Sequence, residues 1–386
     1  MAASGAAEAR TATTGPYIRR VMAAEVINAD RAGMSKATAG AAEASGTAGT
    51  DTSASVAQTV GLTDHGGAGA APCLVGLAVS ADRRESPGWL RAELARTLPG
   101  LAASPDLAPA ARSVAARHGR RAGEVLVTAG TAEALVPIAR ALRPERAVAG
   151  YPQFTGPGAA LRAAGYPVRW GLLSPADGFG LTRAVIPEGA GLVVVGNLAN
   201  RASVLHPATL LAGLGRRERV LVVDEAFMDG VPGEPETLAG PADVPGLLVV
   251  RSLTKTRALA RLRIGCVLGD PALLERLRGA QPLWTVSAPP LAAARVCSWS
   301  AAVAEGDAMA RACVEVAGNQ RAPFVLIDVA DGLRVREGLG RRGFAVLRAG
   351  TVPGRGPDWL RVAVREPAAS GAFVHSLREA LSEELT

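Results

Sequence analysis

From about residue 115 onward, short apolar runs alternate with stretches of helical period. The runs cover 125–128, 147–149, 167–170, 192–195, 220–223, 247–250 and 264–268. Several are continuously apolar and β-branched, as expected of strands covered on both faces in a mostly parallel sheet. Between them, 132–142 and 156–164 carry the spacing of helices. The alternation predicts an α/β, doubly wound large domain with a central sheet of about seven strands. After residue 285 the pattern changes. Helices are expected over 289–304, 307–318, 332–342 and 369–385, and strands over 324–328, 344–346 and 360–364. That mixture predicts a smaller α+β domain.

The resulting division is a large domain over 115–284 and a small C-terminal domain over 285–386. Residues 61–114 are expected to form an N-terminal arm and part of the small domain. Residues 1–60 are rich in Ala, Gly, Ser and Thr and lack a sustained apolar period, so a disordered tail is expected there.

At 386 residues, with 48% hydrophobic and 20% charged positions, the chain has the balance of a soluble globular protein. The net charge of +7 is carried by scattered arginines. Without a basic run interleaved with aromatics, nucleic acid is not expected as a partner. No stretch approaches the roughly 18 apolar residues of a membrane span, and Arg19-Arg20 is not followed by an export core. Cys73, Cys266, Cys297 and Cys313 are far apart and form no metal-ligand spacing, so they are read as reduced thiols of a cytoplasmic protein with no metal site.

Lysine usage changes the picture most. Of 42 Lys plus Arg residues only Lys36 and Lys255 are lysines, and Lys36 lies in the low-complexity tail. An amine can lose its proton and attack a carbonyl carbon, whereas a guanidinium cannot. Lys255 is therefore a candidate Schiff-base residue.

Ligands of open α/β sheets collect at the carboxyl ends of the strands, which directs attention to the residues just past each run. Gly130-Thr131-Ala132 opens a helix and offers free N–H groups to an anion; an ordinary helix capped by Thr131 is the plainer alternative. Asn200 follows the fourth run, as a side-chain donor or a turn residue. Asp224 ends the fifth, where a carboxylate needs a partner such as a pyridinium N–H. Ser252, Thr254 and Lys255 follow the sixth, with Arg263 eight residues beyond the lysine. An anion loop, an Asn, a strand-end Asp, an SxxK run and an Arg together form the set required by pyridoxal 5′-phosphate. No GxxxxGK[ST] loop is present, which argues against a nucleotide triphosphatase.

These stretches, together with 65–67, 87–90, 281–284 and 358–365, resemble the class I/II aminotransferases of the pyridoxal-phosphate fold type I. The similarity is to the branch holding histidinol-phosphate aminotransferases and, most of all, threonine-phosphate decarboxylases of cobalamin biosynthesis in their actinobacterial form. The resemblance covers about residues 62–386. It implies that Lys255 binds the cofactor and moves protons, that Asp224 pairs with the ring nitrogen, and that Asn200 meets the ring hydroxyl. It implies a phosphate site of Gly130, Thr131, Ala132, Ser252, Thr254 and Arg263, with Phe154 stacked on the ring. Arg361 is the implied carboxylate-binding residue, with Arg348 and His65 as further substrate contacts. A homodimer is implied as well.

Departures from the family pattern fall elsewhere. Leu198 and Arg201 replace the prolines flanking the Asn200 loop, and Phe227 replaces a tyrosine. Ser80 stands for an asparagine, Ser104 for a tyrosine, and Arg261 for a glycine. The cofactor set is retained while the substrate and partner-subunit set is altered. Decarboxylation of L-threonine O-3-phosphate is the leading expectation. Transamination of a histidinol-phosphate-like substrate, or cofactor binding with reduced activity, are the alternatives.

Overall fold

The structure is a computed structural model that describes residues 74–78, 86–241, 243–255, 257–298, 324–329, 331–348, 358–365 and 367–382. The expectations for residues 1–60, for a helix over 307–318, and for His65 and Ser80 lie outside the described residues.

Strand β1 (Val75–Gly76) precedes helices α1 (Gly88–Ala95) and α2 (Ala108–Arg117). The central sheet follows, with β2 (Val125–Thr128), β3 (Ala147–Tyr151), β4 (Val168–Leu172), β5 (Leu192–Gly196), β6 (Val220–Glu225), β7 (Leu247–Ser252) and β8 (Gly265–Gly269). Helices α3 (Thr131–Leu142), α4 (Gly156–Ala163) and the short α5 (Ala208–Ala212) lie between these strands, and α6 (Pro271–Ala280) and α7 (Ala288–Cys297) follow them. The spatial order is β2-β8-β7-β6-β5-β3-β4, seven strands as the runs predict, with β8 antiparallel to both its neighbours.

The continuous apolar character of the strands has a direct cause. Val193, Val195, Leu221, Val223 and Val249 point to one face, under Val114 of α2 and Ala294 of α7. Their neighbours Leu192, Val194, Val222, Leu248 and Val250 point to the other, under Leu135 and Ile138 of α3 and Leu277 of α6. With both faces covered, successive positions of the inner strands β5, β6 and β7 are interior positions.

The smaller unit holds β9 (Phe324–Asp328), α8 (Gly332–Arg341), β10 (Phe344–Ala345), β11 (Leu347–Arg348), β12 (Trp359–Ala363) and α9 (Pro367–Ser382). Strands β11, β12 and β9 form an antiparallel sheet, and β1 pairs with β10. Its core joins Val325, Leu360 and Val362 to Val335, Leu339, Phe373 and Leu377. No helix among the described residues is long and apolar enough to cross a membrane.

Candidate active site

Strand register brings the candidate residues together. Thr128 of β2 and Ser252 of β7 both lie opposite Gly265 at the start of β8. Because β8 runs antiparallel, its beginning lies at the edge where β2 and β7 end. Gly130, Ser252 and Arg263 therefore meet, although they are far apart in sequence. A side chain at Gly265 would be 2.6 Å from the Arg251 carbonyl and 3.1 Å from the Gly130 Cα, so only glycine permits this approach.

At this edge Gly130 has φ 85° and occupies the cap position of α3; Thr131 is the first helical residue and not the cap. A Cβ at Gly130 would be 2.6 Å from Nη2 of Arg263, so the missing side chain lets the guanidinium close on the helix start. The hydroxyls of Ser252 and Thr254 are 2.8 Å apart and both buried. Open N–H groups at a helix start, two hydroxyls and a guanidinium form a seat for a phosphate.

Neighbouring strands carry the remaining groups. Gly196 of β5 and Val250 of β7 flank Asp224 of β6. Asp224 is 8% exposed and accepts a hydrogen bond from the Ala226 N–H at 3.0 Å. Burial pushes its carboxyl up to about 6, against the pull of that N–H and of Lys255. Burial pulls the Lys255 amine down, Arg263 and Arg361 lower it further, and Asp224 opposes them. The Lys255 Nζ is 5.3 Å from the centre of the Phe227 ring. Phe227 itself packs edge-on to Phe324 at 5.1 Å.

Asn200 turns its side-chain oxygen to Nη1 of Arg361, at 3.4 Å. That leaves its amide nitrogen as a donor. Arg361 of β12 is 5% exposed, also donates to the Ala78 carbonyl, and lies over Phe324 at 5.5 Å. Burial first, then Arg201 and Arg365, pull its guanidinium down to about 9. Arg348 lies on β11, with a buried Nε that has no hydrogen-bond partner. Phe154 covers Gly156, where a Cβ would be 2.2 Å from the ring, and packs on the cluster beneath α3 and α4.

The residues present fit pyridoxal phosphate. A buried carboxylate that burial drives toward its neutral form is stabilised by a pyridinium N–H. The Ser252–Thr254–Arg263 cradle suits the cofactor phosphate. Lys255, whose amine burial pulls toward its neutral form, suits the aldehyde.

Behind the site lies an ionic cluster that the sequence reading missed. Arg251, only 1% exposed, pairs with Glu225 at 2.9 Å, with Glu234 at 2.8 Å and with Asp229. Arg117 joins Glu234 at 2.8 Å and Asp229 at 3.3 Å. Burial works against the Asp229 carboxylate, but Arg117, Arg251 and Arg257 outweigh it and hold it below the usual range. Glu225 follows Asp224 and Arg251 precedes Ser252, so the cluster clamps the two strand ends that carry the candidate cofactor residues. An arginine one residue past a buried apolar run was the available signal, since such a cation needs partners.

The fold and this arrangement define a fold-type I pyridoxal-phosphate transferase. Residues 86–317 match the family described as aminotransferase class I and II. The chain belongs to that family of pyridoxal-phosphate-dependent enzymes. It is 41% identical over 318 residues to a histidinol-phosphate aminotransferase of Mycobacterium tuberculosis, covering 78% of this chain and 86% of the relative. A threonine-phosphate decarboxylase of Salmonella typhimurium is 27% identical over 294 residues, 70% of this chain and 80% of the relative. The crystal structure of L-threonine-O-3-phosphate decarboxylase from Porphyromonas gingivalis superposes with a TM-score of 0.70 at 18% identity, over 80% of this chain and 100% of that one. The histidinol-phosphate aminotransferase from Clostridium acetobutylicum superposes at 0.71 and 15% identity, over the same shares. At such identities the structures speak for the fold alone.

Proposed function

We propose that this enzyme decarboxylates a phosphorylated amino acid of the L-threonine O-3-phosphate kind. The supporting observation is the set of cations around Arg361, which itself acts on Lys255. Neither Arg348 nor Arg361 has a carboxylate partner among the described residues, and Arg201 and Arg365 add like charge to Arg361. A phospho-amino acid brings two anionic groups to such a place. Histidinol phosphate brings one, together with an imidazole that asks for an acceptor.

Lys255 carries the cofactor and Asp224 keeps its ring nitrogen protonated. Asn200 donates to the ring hydroxyl, and Gly130, Thr131, Ala132, Ser252, Thr254 and Arg263 hold the phosphate. When bound, pyridoxal phosphate supplies an electron sink for negative charge at the substrate Cα. Arg361 orients the acidic end of the substrate. The seat that each anionic group takes on Arg361 and its neighbours would fix how the substrate Cα is turned, and so would decide between loss of CO₂ and loss of a proton. The Lys255 amine, depressed by burial and by two guanidiniums, is placed to hold the proton that Cα receives. Phe227 and Phe324 keep water from this side of the amine.

Transamination is the second reading, favoured by the 41% identity to a protein named for it. The cofactor-loaded enzyme given L-threonine O-3-phosphate should release CO₂ and aminopropanol phosphate. Keto-acid formation, or turnover of histidinol phosphate with an oxo-acid acceptor, would transfer the assignment to transamination. The same resemblance supports a cytoplasmic homodimer. Leu283 and Trp284, 82% and 64% exposed side by side, offer apolar surface for a second copy, and sedimentation gives the test.

A further inference from the structure

The loop between β5 and α5 buries a cation that the family pattern does not call for. Arg201 stands where the resembled family carries a proline. An arginine on a loop ordinarily keeps its guanidinium in water. Arg201 is instead 4% exposed, and its φ of 123° lies where side chains are strained. Such a backbone persists where its surroundings or its use compensate for the strain.

The guanidinium goes to an electropositive place. Its Nη1 donates to the Arg348 carbonyl at 2.8 Å, which ties the loop to β11. The neighbouring residue, Asn200, accepts from Arg361. The Nε atoms of Arg348 and Arg361 are both buried with no hydrogen-bond partner. Tyr151, fully buried at the end of β3, feels the charge of Arg201 and has an unpartnered hydroxyl.

The rest of the chain offers an internal contrast. Where Arg251 is buried, it is given Glu225, Asp229 and Glu234. Around Arg361 and Arg348 no carboxylate is supplied by the described residues. Like charges held out of water repel one another, and Arg201 and Arg365 both lower the Arg361 guanidinium. A bound anion removes that repulsion.

We propose that Arg201 is a specificity-determining residue, which with Arg348 and Arg361 forms a seat for the phosphate dianion of the substrate. The inference rests on the reading of a phosphorylated substrate and deepens it. The seat is built from residues other than the Ser252, Thr254 and Arg263 set assigned to the cofactor phosphate. A guanidinium at position 201 supplies a planar fork suited to phosphate oxygens, which a proline cannot.

Arg201→Gly provides the test, because glycine adopts a φ of 123° without steric cost. The variant should melt no lower than wild type and keep its cofactor absorption. Inorganic phosphate titrated calorimetrically into the cofactor-loaded protein should bind at least tenfold more weakly to Arg201→Gly, with Arg201→Lys intermediate. The KM for L-threonine O-3-phosphate should rise in step while kcat changes less. Equal phosphate affinity in wild type and Arg201→Gly would leave Arg201 a loop tether only and overturn the proposal. Failure of wild type to bind phosphate would overturn it too. If phosphate binds as described but L-threonine O-3-phosphate yields no CO₂, the reaction assignment fails while the anion seat stands.

Discussion

Removing the Asp224 carboxylate should stabilise the cofactor-free protein. In the folded state burial raises this group from 3.8 to about 6. A carboxyl with a raised folded pKa favours folding below its unfolded value and opposes it as pH rises through the folded value. The cost is absent near pH 3.8, grows through pH 6 and is complete by pH 8. Two pH units at 1.36 kcal/mol each give about 3 kcal/mol. Asparagine keeps the oxygen that accepts from the Ala226 N–H and carries no charge to desolvate. Asp224→Asn without cofactor should therefore gain about 3 kcal/mol at pH 8, roughly 5 °C in midpoint. The gain should vanish toward pH 4. With pyridoxal phosphate bound the sign reverses, because the variant loses the partner of the ring nitrogen. Urea unfolding of both proteins, with and without cofactor, at pH 8 and at pH 4.5 makes the comparison. A cofactor-free variant no more stable than wild type at pH 8 would refute the reasoning that this carboxylate is held out of water for a cation to come.

Three further substitutions probe the supports of the site. Arg251→Met leaves the buried Glu225 without its cation, takes one of three guanidiniums from Asp229, and should cost about 3–5 kcal/mol in urea unfolding; a loss below 1 kcal/mol would show the cluster to be dispensable. Gly265→Ala drives a methyl into the Arg251 carbonyl and the Gly130 backbone. It should destabilise by about 3 kcal/mol and weaken cofactor binding in fluorescence titrations, since β2 and β7 must part. Gly130→Ala strains a φ of 85° by about 1–3 kcal/mol and displaces Arg263. Pyridoxal phosphate should bind about tenfold more weakly while pyridoxal, lacking the phosphate, is affected less. Equal losses for the two ligands would count against a phosphate seat at this helix start.

The central sheet was legible because its inner strands β5, β6 and β7 are buried on both faces and rich in valine, a pattern that composition bias does not erase. The strands extend past the apolar runs at their carboxyl ends, to Tyr151, Glu225 and Ser252. There polar side chains continue the ladder into the site, and hydropathy alone sees an end. Helices α1, α2 and α6 were not foreseen. Their Ala- and Arg-rich faces give little contrast, and α1 buries only Leu90. The candidate cofactor residues could be picked out by their order along the strand ends. Their meeting depends on the reversal of β8, which no local pattern announces. In the sequence Arg201 shows only a lost proline; its burial beside Arg361 is a tertiary fact, because a loop arginine reads as surface.

The most direct measurement uses the chain's own scarcity of amines. Borohydride reduction of the cofactor-loaded protein, followed by peptide mass mapping, locates the residue that holds the aldehyde. The account predicts one pyridoxyl group per chain, on Lys255, and none in Lys255→Ala. A pyridoxyl group on Lys36 alone, or stoichiometric modification that survives the Lys255→Ala substitution, would contradict it.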